Sequence, residues 1–105
     1  MKEFHHVGIP TDVKRENETY VADCKAYITD FEKHPYRVEW VRVEPGCTMP
    51  EEIQKIPHVA FKVDDIKAEI EGKNVIIEPF SPLEGITAAF ILTEDGAPIE
   101  FIQTD

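Results

Sequence analysis

A chain of 105 residues with 21 acidic and 11 basic side chains and a formal net charge of −10 has room for one domain with a modest core, and it repels phosphate backbones and anionic membrane surfaces alike. No apolar run approaches the ~20 residues of a membrane-spanning helix, and the opening MKEFHHVGIPT has no apolar stretch of the secretory kind, so the expected location is the cytoplasm. Cys24 and Cys47, the only cysteines, are too far apart for a zinc knuckle or a Cys-x-x-Cys motif and are expected as reduced thiols.

In chain order, Glu3–Pro10 alternates as a strand, with Val7 and Ile9 on one face and His6 and Gly8 on the other. TDVKRENETYVADCK has no apolar stripe at helical spacing and reads mostly as loop. CKAYITDFE and YRVEWVRVE read as two strands joined around KHP, where Pro35 interrupts the ladder. A short helix is expected around Pro50–Lys55, with Thr48 as its N-cap and two glutamates in its first turn. HVAFKV is a strand, and DDIKAEIEGK a helix capped by Asp64 or Asp65, with Ile66 and Ile70 on one face and Gly72 at its end. NVIIEPF and ITAAFILT follow as strands. Between them EPFSPLEG is either a loop that closes over a site or a plain connection stiffened by two prolines. An Asp-Gly turn then leads into the last strand, APIEFIQ.

Two echoes cut across this order. His6-Val7-Gly8-Ile9 aligns with His58-Val59-Ala60-Phe61, and Asp12 with Asp64, at a constant offset of 52 (58 − 6). Val38-Glu39-Trp40-Val41 and Ile99-Glu100-Phe101-Ile102 each hold one glutamate among apolar residues. The order His, Glu, His, Glu is that of an internal duplication. By strand alternation, each of these four polar groups points away from neighbours suited to a core. If the two halves are related by a pseudo-twofold, His6, Glu39, His58 and Glu100 converge on one concave sheet face. Two imidazoles and two carboxylates suit a divalent cation such as Zn²⁺, Ni²⁺, Co²⁺, Mn²⁺ or Fe²⁺. A single strand histidine or glutamate is ordinarily a solvated or hydrogen-bonded residue; four in register distinguish a site from that alternative. His5 alternates to the core side, and His34, beside Pro35, reads as a surface residue in a turn.

HHVGIP, VEWVRVE, PHVAFKVDDI and GAPIEFIQ together span nearly the whole chain. They resemble the vicinal oxygen chelate superfamily, which includes glyoxalase I, methylmalonyl-CoA epimerase, fosfomycin and bleomycin resistance proteins and extradiol dioxygenases. The nearer likeness is to small bacterial glyoxalase-like proteins with a shortened first module. The resemblance implies an α+β fold: two βαβββ-type modules, about 1–48 and about 57–105, form one domain with a cup-shaped, mostly antiparallel sheet, the first module lacking its helix. It implies metal ligands on the first and last strand of each module, carried here by His6, Glu39, His58 and Glu100. His6 and Glu39 are 33 positions apart (39 − 6), against 42 for His58 and Glu100 (100 − 58), a difference of about one helix. The apolar face of Val7, Ile9, Val38 and Trp40 then needs another cover, either the short helix with Ile53 and Ile56 or a second subunit. A homodimer is expected, on the ground that Trp40 otherwise faces water.

The activity implied is that of a metal-dependent lyase or isomerase acting on a small carbonyl or hydroxy-acid metabolite. Glu39 or Glu100 would abstract a proton alpha to a carbonyl, and the metal would stabilise an enediolate as a Lewis acid. Lys62 shares a strand face with His58 and either meets an anionic substrate group or reaches solvent. Two alternatives stand beside this: a non-catalytic, resistance-type binder of a small molecule, and an Fe(II) dioxygenase built on His6, His58 and Glu100. A fourth ligand at Glu39 counts against the last.

Overall fold

The computed structural model describes residues 2–105. Alternating apolar residues lay down β1 (Glu3–Pro10), β4 (Val38–Val43), β5 (His58–Lys62), β7 (Ile86–Leu92) and β8 (Pro98–Thr104). With β2 (Thr19–Val21), β3 (Ala26–Ile28) and β6 (Val75–Leu83) they form one mixed sheet in the order β2-β3-β4-β1-β5-β8-β7-β6. The sheet is strongly curled into a cup-like half-barrel. β1 pairs with β4 in parallel, β5 pairs with β8 in parallel, and the remaining neighbours are antiparallel. Each half is therefore wired alike: its first strand lies beside its last, and the middle two continue outward as a meander. β1 and β5 meet antiparallel at the centre.

The helix expected in the second half is α2 (Ile66–Ile70). Of the two candidate caps, Asp65 serves: its carboxylate accepts the Lys67 N–H at 3.1 Å. Gly72 leaves the helix at φ +74°, a conformation that disfavours any side chain. Ile66 is buried with Val63, Ala89, Ile91 and Phe101, and Ile70, Val75 and Ile99 pack around them. This core fills the outer face of β5, β8 and β7, so residues that alternate with it must face the cup.

The first half has no helix between β1 and β2. The short helix α1 (Glu51–Lys55) packs against β1 and buries Ile53. Its N-cap position is occupied by Pro50, with no side-chain cap, and the Thr48 hydroxyl turns instead to the Asp23 carbonyl at 3.4 Å. Trp40 is half-buried, because the Arg15 guanidinium lies 4.1 Å from its ring centroid. The chain thus supplies part of the cover for Trp40 from Arg15, where the sequence led us to expect the short helix or a second subunit.

Three further elements depart from expectation. The segment read as loop contains β2, which pairs with β3 and sets Tyr20 against Tyr27 at 4.8 Å. The strand expected over residues 24–32 is shorter: after Ile28 the chain turns through a one-turn 3-10 helix, Phe31–Lys33, with the Asp30 carboxylate accepting the Glu32 N–H. EPFSPLEG is not a loop over the site but the second half of β6 and its turn. As an edge strand β6 tolerates Pro79 and Pro82, and its pairing with β7 shifts register on either side of Phe80, where the two prolines lie.

Candidate metal centre

The register across the four central strands builds the site. His6 on β1 lies opposite Ala60 on β5, and His58 lies opposite Gly8. Gly8 is also aligned with Glu39 on β4, and Ala60 with Glu100 on β8. Two rows result, Glu39–Gly8–His58 and His6–Ala60–Glu100, each with a small residue at its centre. Neighbouring strands are ~4.8 Å apart, so the outer members of a row can lean inward only over a side chain that is nearly absent. At Gly8 the requirement is strict. A Cβ there would stand 2.2 Å from His58 Cε1 and 2.5 Å from Nε2, so the imidazole lies directly across the glycine.

Three of the four expected ligands come together. Glu100 Oε1 is 3.1 Å from His58 Nε2 and 3.3 Å from His6 Nε2. One ligand atom from each of His6, His58 and Glu100 lies within 4.8 Å of the others, and all three residues are buried. Glu39 is set back: its Oε1 is 3.7 Å from His6 Nε2, and it does not belong to the close group. His6 is 2% exposed, yet its Nε2 has no hydrogen-bond partner of acceptable geometry. A buried polar atom without a partner is uncommon and asks for an explanation such as an ion or water. The donor set of two imidazole nitrogens and a carboxylate oxygen fits a divalent transition metal.

Burial divides the two carboxyl groups. Desolvation pushes Glu39 up to about 7, with the nearby Glu100 charge adding to the rise and the imidazoles of His6 and His58 opposing it. Glu100 suffers desolvation too, but the His58 and His6 rings at its Oε1 outweigh it and hold the group down at about 2. His6 is raised despite its burial, because the Glu100 and Glu39 carboxylates face it. His5 is lowered by burial first, and then by the charges of His6 and Arg37.

Aromatic rings close the site. Phe31, delivered by the 3-10 turn, stacks on His6 at 4.7 Å and 15°, and Phe90 on β7 meets His58 edge-on at 5.0 Å. The Arg37 guanidinium lies over the same Phe31 ring, 4.8 Å from its centroid. Neither phenylalanine was singled out from the sequence. Phe90 lies beside Glu100 in the register and so was accessible to a pairing argument; Phe31 reaches His6 only through a non-repeating turn. Lys62 is exposed at the end of β5, opposite Glu3, and its charge acts on His5. Arg42 is engaged elsewhere, in a two-pronged pair with Glu18 at 2.8 Å and over the Tyr27 ring. His34 Nδ1 accepts the Tyr36 N–H within its own turn. Set against models of known protein families and against curated proteins, the chain matches none.

Proposed function

We propose that this protein is a metal-dependent lyase or isomerase of the vicinal oxygen chelate kind, acting on a small carbonyl or hydroxy-acid metabolite. The observation that carries this reading is the buried Nε2 of His6, which has no hydrogen bond of acceptable geometry and faces Glu100 beside His58, with a second carboxylate held just outside the group. His6, His58 and Glu100 would hold the cation. When bound, a divalent cation supplies Lewis-acid polarisation of a substrate carbonyl. Glu100, ionised across the physiological range, suits the ligand role. Glu39, poised at about 7 by its burial, is matched to taking a proton alpha to a carbonyl near neutral pH and returning it. Phe31 and Phe90 exclude water from the imidazoles. The like wiring of the two halves and the echoed His and Glu positions support the family resemblance.

A second reading has its own observation. Because Glu39 stands back from the close group, the remaining two-His-one-carboxylate set leaves positions open, which favours Fe(II) oxygen chemistry more than the sequence alone did. A homodimer stays part of the proposal: Val7, Ile9 and Val38 are only half-buried, and no helix lies between β1 and β2 to cover them.

The test is metal content per chain, by elemental analysis after equilibration with Zn²⁺, Ni²⁺, Mn²⁺ or Fe²⁺ and dialysis. About one ion per chain is expected, lost in His58→Ala and Glu100→Ala and retained in Glu39→Gln. Hydrogen–deuterium exchange at the carbon alpha to the carbonyl of small hydroxycarbonyl compounds should then appear in wild type and vanish in Glu39→Gln. Failure to retain any ion would abandon the enzyme reading for that of a non-catalytic binder.

A further inference from the structure

Adjacent residues on a strand point to opposite faces, so His5 and His6 should not touch. They do: their Nδ1 atoms are 2.8 Å apart, and the rings meet edge-on with centroids 5.1 Å apart. The register explains how. Phe4 pairs with Phe61 and His6 with Ala60, so β1 spends two steps where β5 spends one, and His5 is the extra residue of a β-bulge. A bulge re-aims a side chain, and bulges concentrate beside functional sites.

This bulge is braced. The His5 carbonyl accepts a hydrogen bond from Arg37 Nε, while the Arg37 carbonyl accepts the Val7 N–H at 3.1 Å. Arg37 therefore grips β1 on both sides of His6. It does so from a φ of +57°, a conformation uncommon for a non-glycine residue, in which such strain points to a local demand. Phe31 packs on both histidine rings, with centroid separations of 4.7 Å to each. The second half has no counterpart, since the residue before His58 is Pro57.

We propose that His5 is a positioning residue for His6: its Nδ1 accepts the Nδ1–H of His6, fixing the tautomer and ring angle that leave the His6 Nε2 lone pair directed at Glu100 and His58. The inference rests on the metal-site reading above. A 2.8 Å contact between two ring nitrogens requires one proton between them. If His6 supplies it, Nε2 is a bare acceptor ready for a cation. If His5 supplied it, His6 would carry its hydrogen on Nε2, where no acceptor of good geometry waits and where a cation would have to displace it. Metal-binding histidines commonly hold their second ring nitrogen in such a hydrogen bond, and loss of the outer partner typically weakens metal binding by roughly 10–100-fold. The usual partner is a carboxylate or a backbone carbonyl; here it is the neighbouring imidazole, brought round by the bulge.

The experiment compares wild type with His5→Phe, which keeps a ring without an acceptor, and His5→Gln, which restores an acceptor. Zn²⁺ affinity, measured by chelator competition, should fall roughly 10–100-fold in His5→Phe and recover in part in His5→Gln. Imidazole ¹⁵N spectra of the zinc-free proteins, followed upward in pH until the His6 signals stop shifting, should show His6 as the Nδ1–H tautomer in wild type and as Nε2–H in His5→Phe. Wild-type His6 already in the Nε2–H form, or undiminished zinc affinity in His5→Phe, overturns the proposal. If wild type holds no zinc, the metal reading fails by itself, and the spectra still decide whether His5 sets the tautomer.

Discussion

Removing the charge of Glu39 should stabilise the metal-free protein at alkaline pH while leaving it unchanged in mild acid. Burial raises this carboxyl from 4.5 to about 7 in the folded chain, so the native state keeps a proton that the unfolded chain releases. Stability from that proton is complete below pH 4.5 and is lost as pH rises through about 7. The difference between the two values corresponds to about 3 kcal/mol, a large share of the 5–15 kcal/mol typical of a whole domain. His6 acts in the same sense: its pKa is raised from 6.5 by the two carboxylates against the pull of burial, so its contribution also fades as pH rises beyond 6.5. Glu100 runs the other way. Held at about 2, it contributes fully above 4.5 and loses that contribution as pH falls toward 2. Metal-free protein is therefore expected to be most stable near about pH 5. Urea unfolding of chelator-treated protein between about pH 5 and pH 8.5 should show wild type losing about 3 kcal/mol or somewhat more. In Glu39→Gln, which mimics the protonated acid, the loss should shrink to the share of His6, making the variant about 1–3 kcal/mol more stable than wild type at the upper end. Parallel curves for the two proteins would refute the account of a carboxylate strained by burial. The same variant is expected to lose proton exchange, so gain in stability and loss of function would come from one atom pair.

Other outcomes follow from packing. Gly8→Ala would drive a methyl group to 2.2 Å from His58 Cε1; the ring must swing away, and we expect at least a ~10-fold loss of metal affinity by chelator competition, with an overpacking penalty of about 1–3 kcal/mol. Retained affinity would show that His58 is free to move without harm to the site. Ile66→Ala, at a residue 2% exposed beneath α2, should cost about 2–5 kcal/mol in urea unfolding, and a loss under about 1 kcal/mol would deny that helix its anchoring role. Light scattering at micromolar concentration should return twice the chain mass of 12.0 kDa; a clean monomer would remove the homodimer.

Much of the site could be read from particular residues. The constant offset between His6 and His58, with a small residue two positions after each, implies the register found: when two copies of such a strand pair antiparallel about their midpoint, each histidine falls opposite the other's small residue, as His6 does on Ala60 and His58 on Gly8. Alternation then put Glu39 and Glu100 on the same face. α2 was legible for local reasons, since Asp65, Ile66, Ile70 and Gly72 declare its start, face and end within a few residues. The same local logic misjudged β2, whose three residues carry too little pattern to register, and β6, whose prolines signal a turn unless the strand is known to lie at an edge.

What sequence determined by itself is therefore the part with a period: strands, the faces they present and the duplicated order of ligands. Tertiary structure decided what breaks the period. A one-residue bulge turns His5 beside His6 instead of away from it, because the cost of an unpaired strand residue is met by Arg37, distant in the chain. A single helical turn lays Phe31 on His6. The two glutamates, equivalent by repeat, become different acids because Glu100 has two imidazole nitrogens at 3.1 and 3.3 Å, whereas Glu39 stands 3.7 Å from His6 and its burial outweighs the more distant rings. Electrostatic environment falls off within a few ångströms of space, and a repeat in sequence carries no record of which neighbours will fill that space.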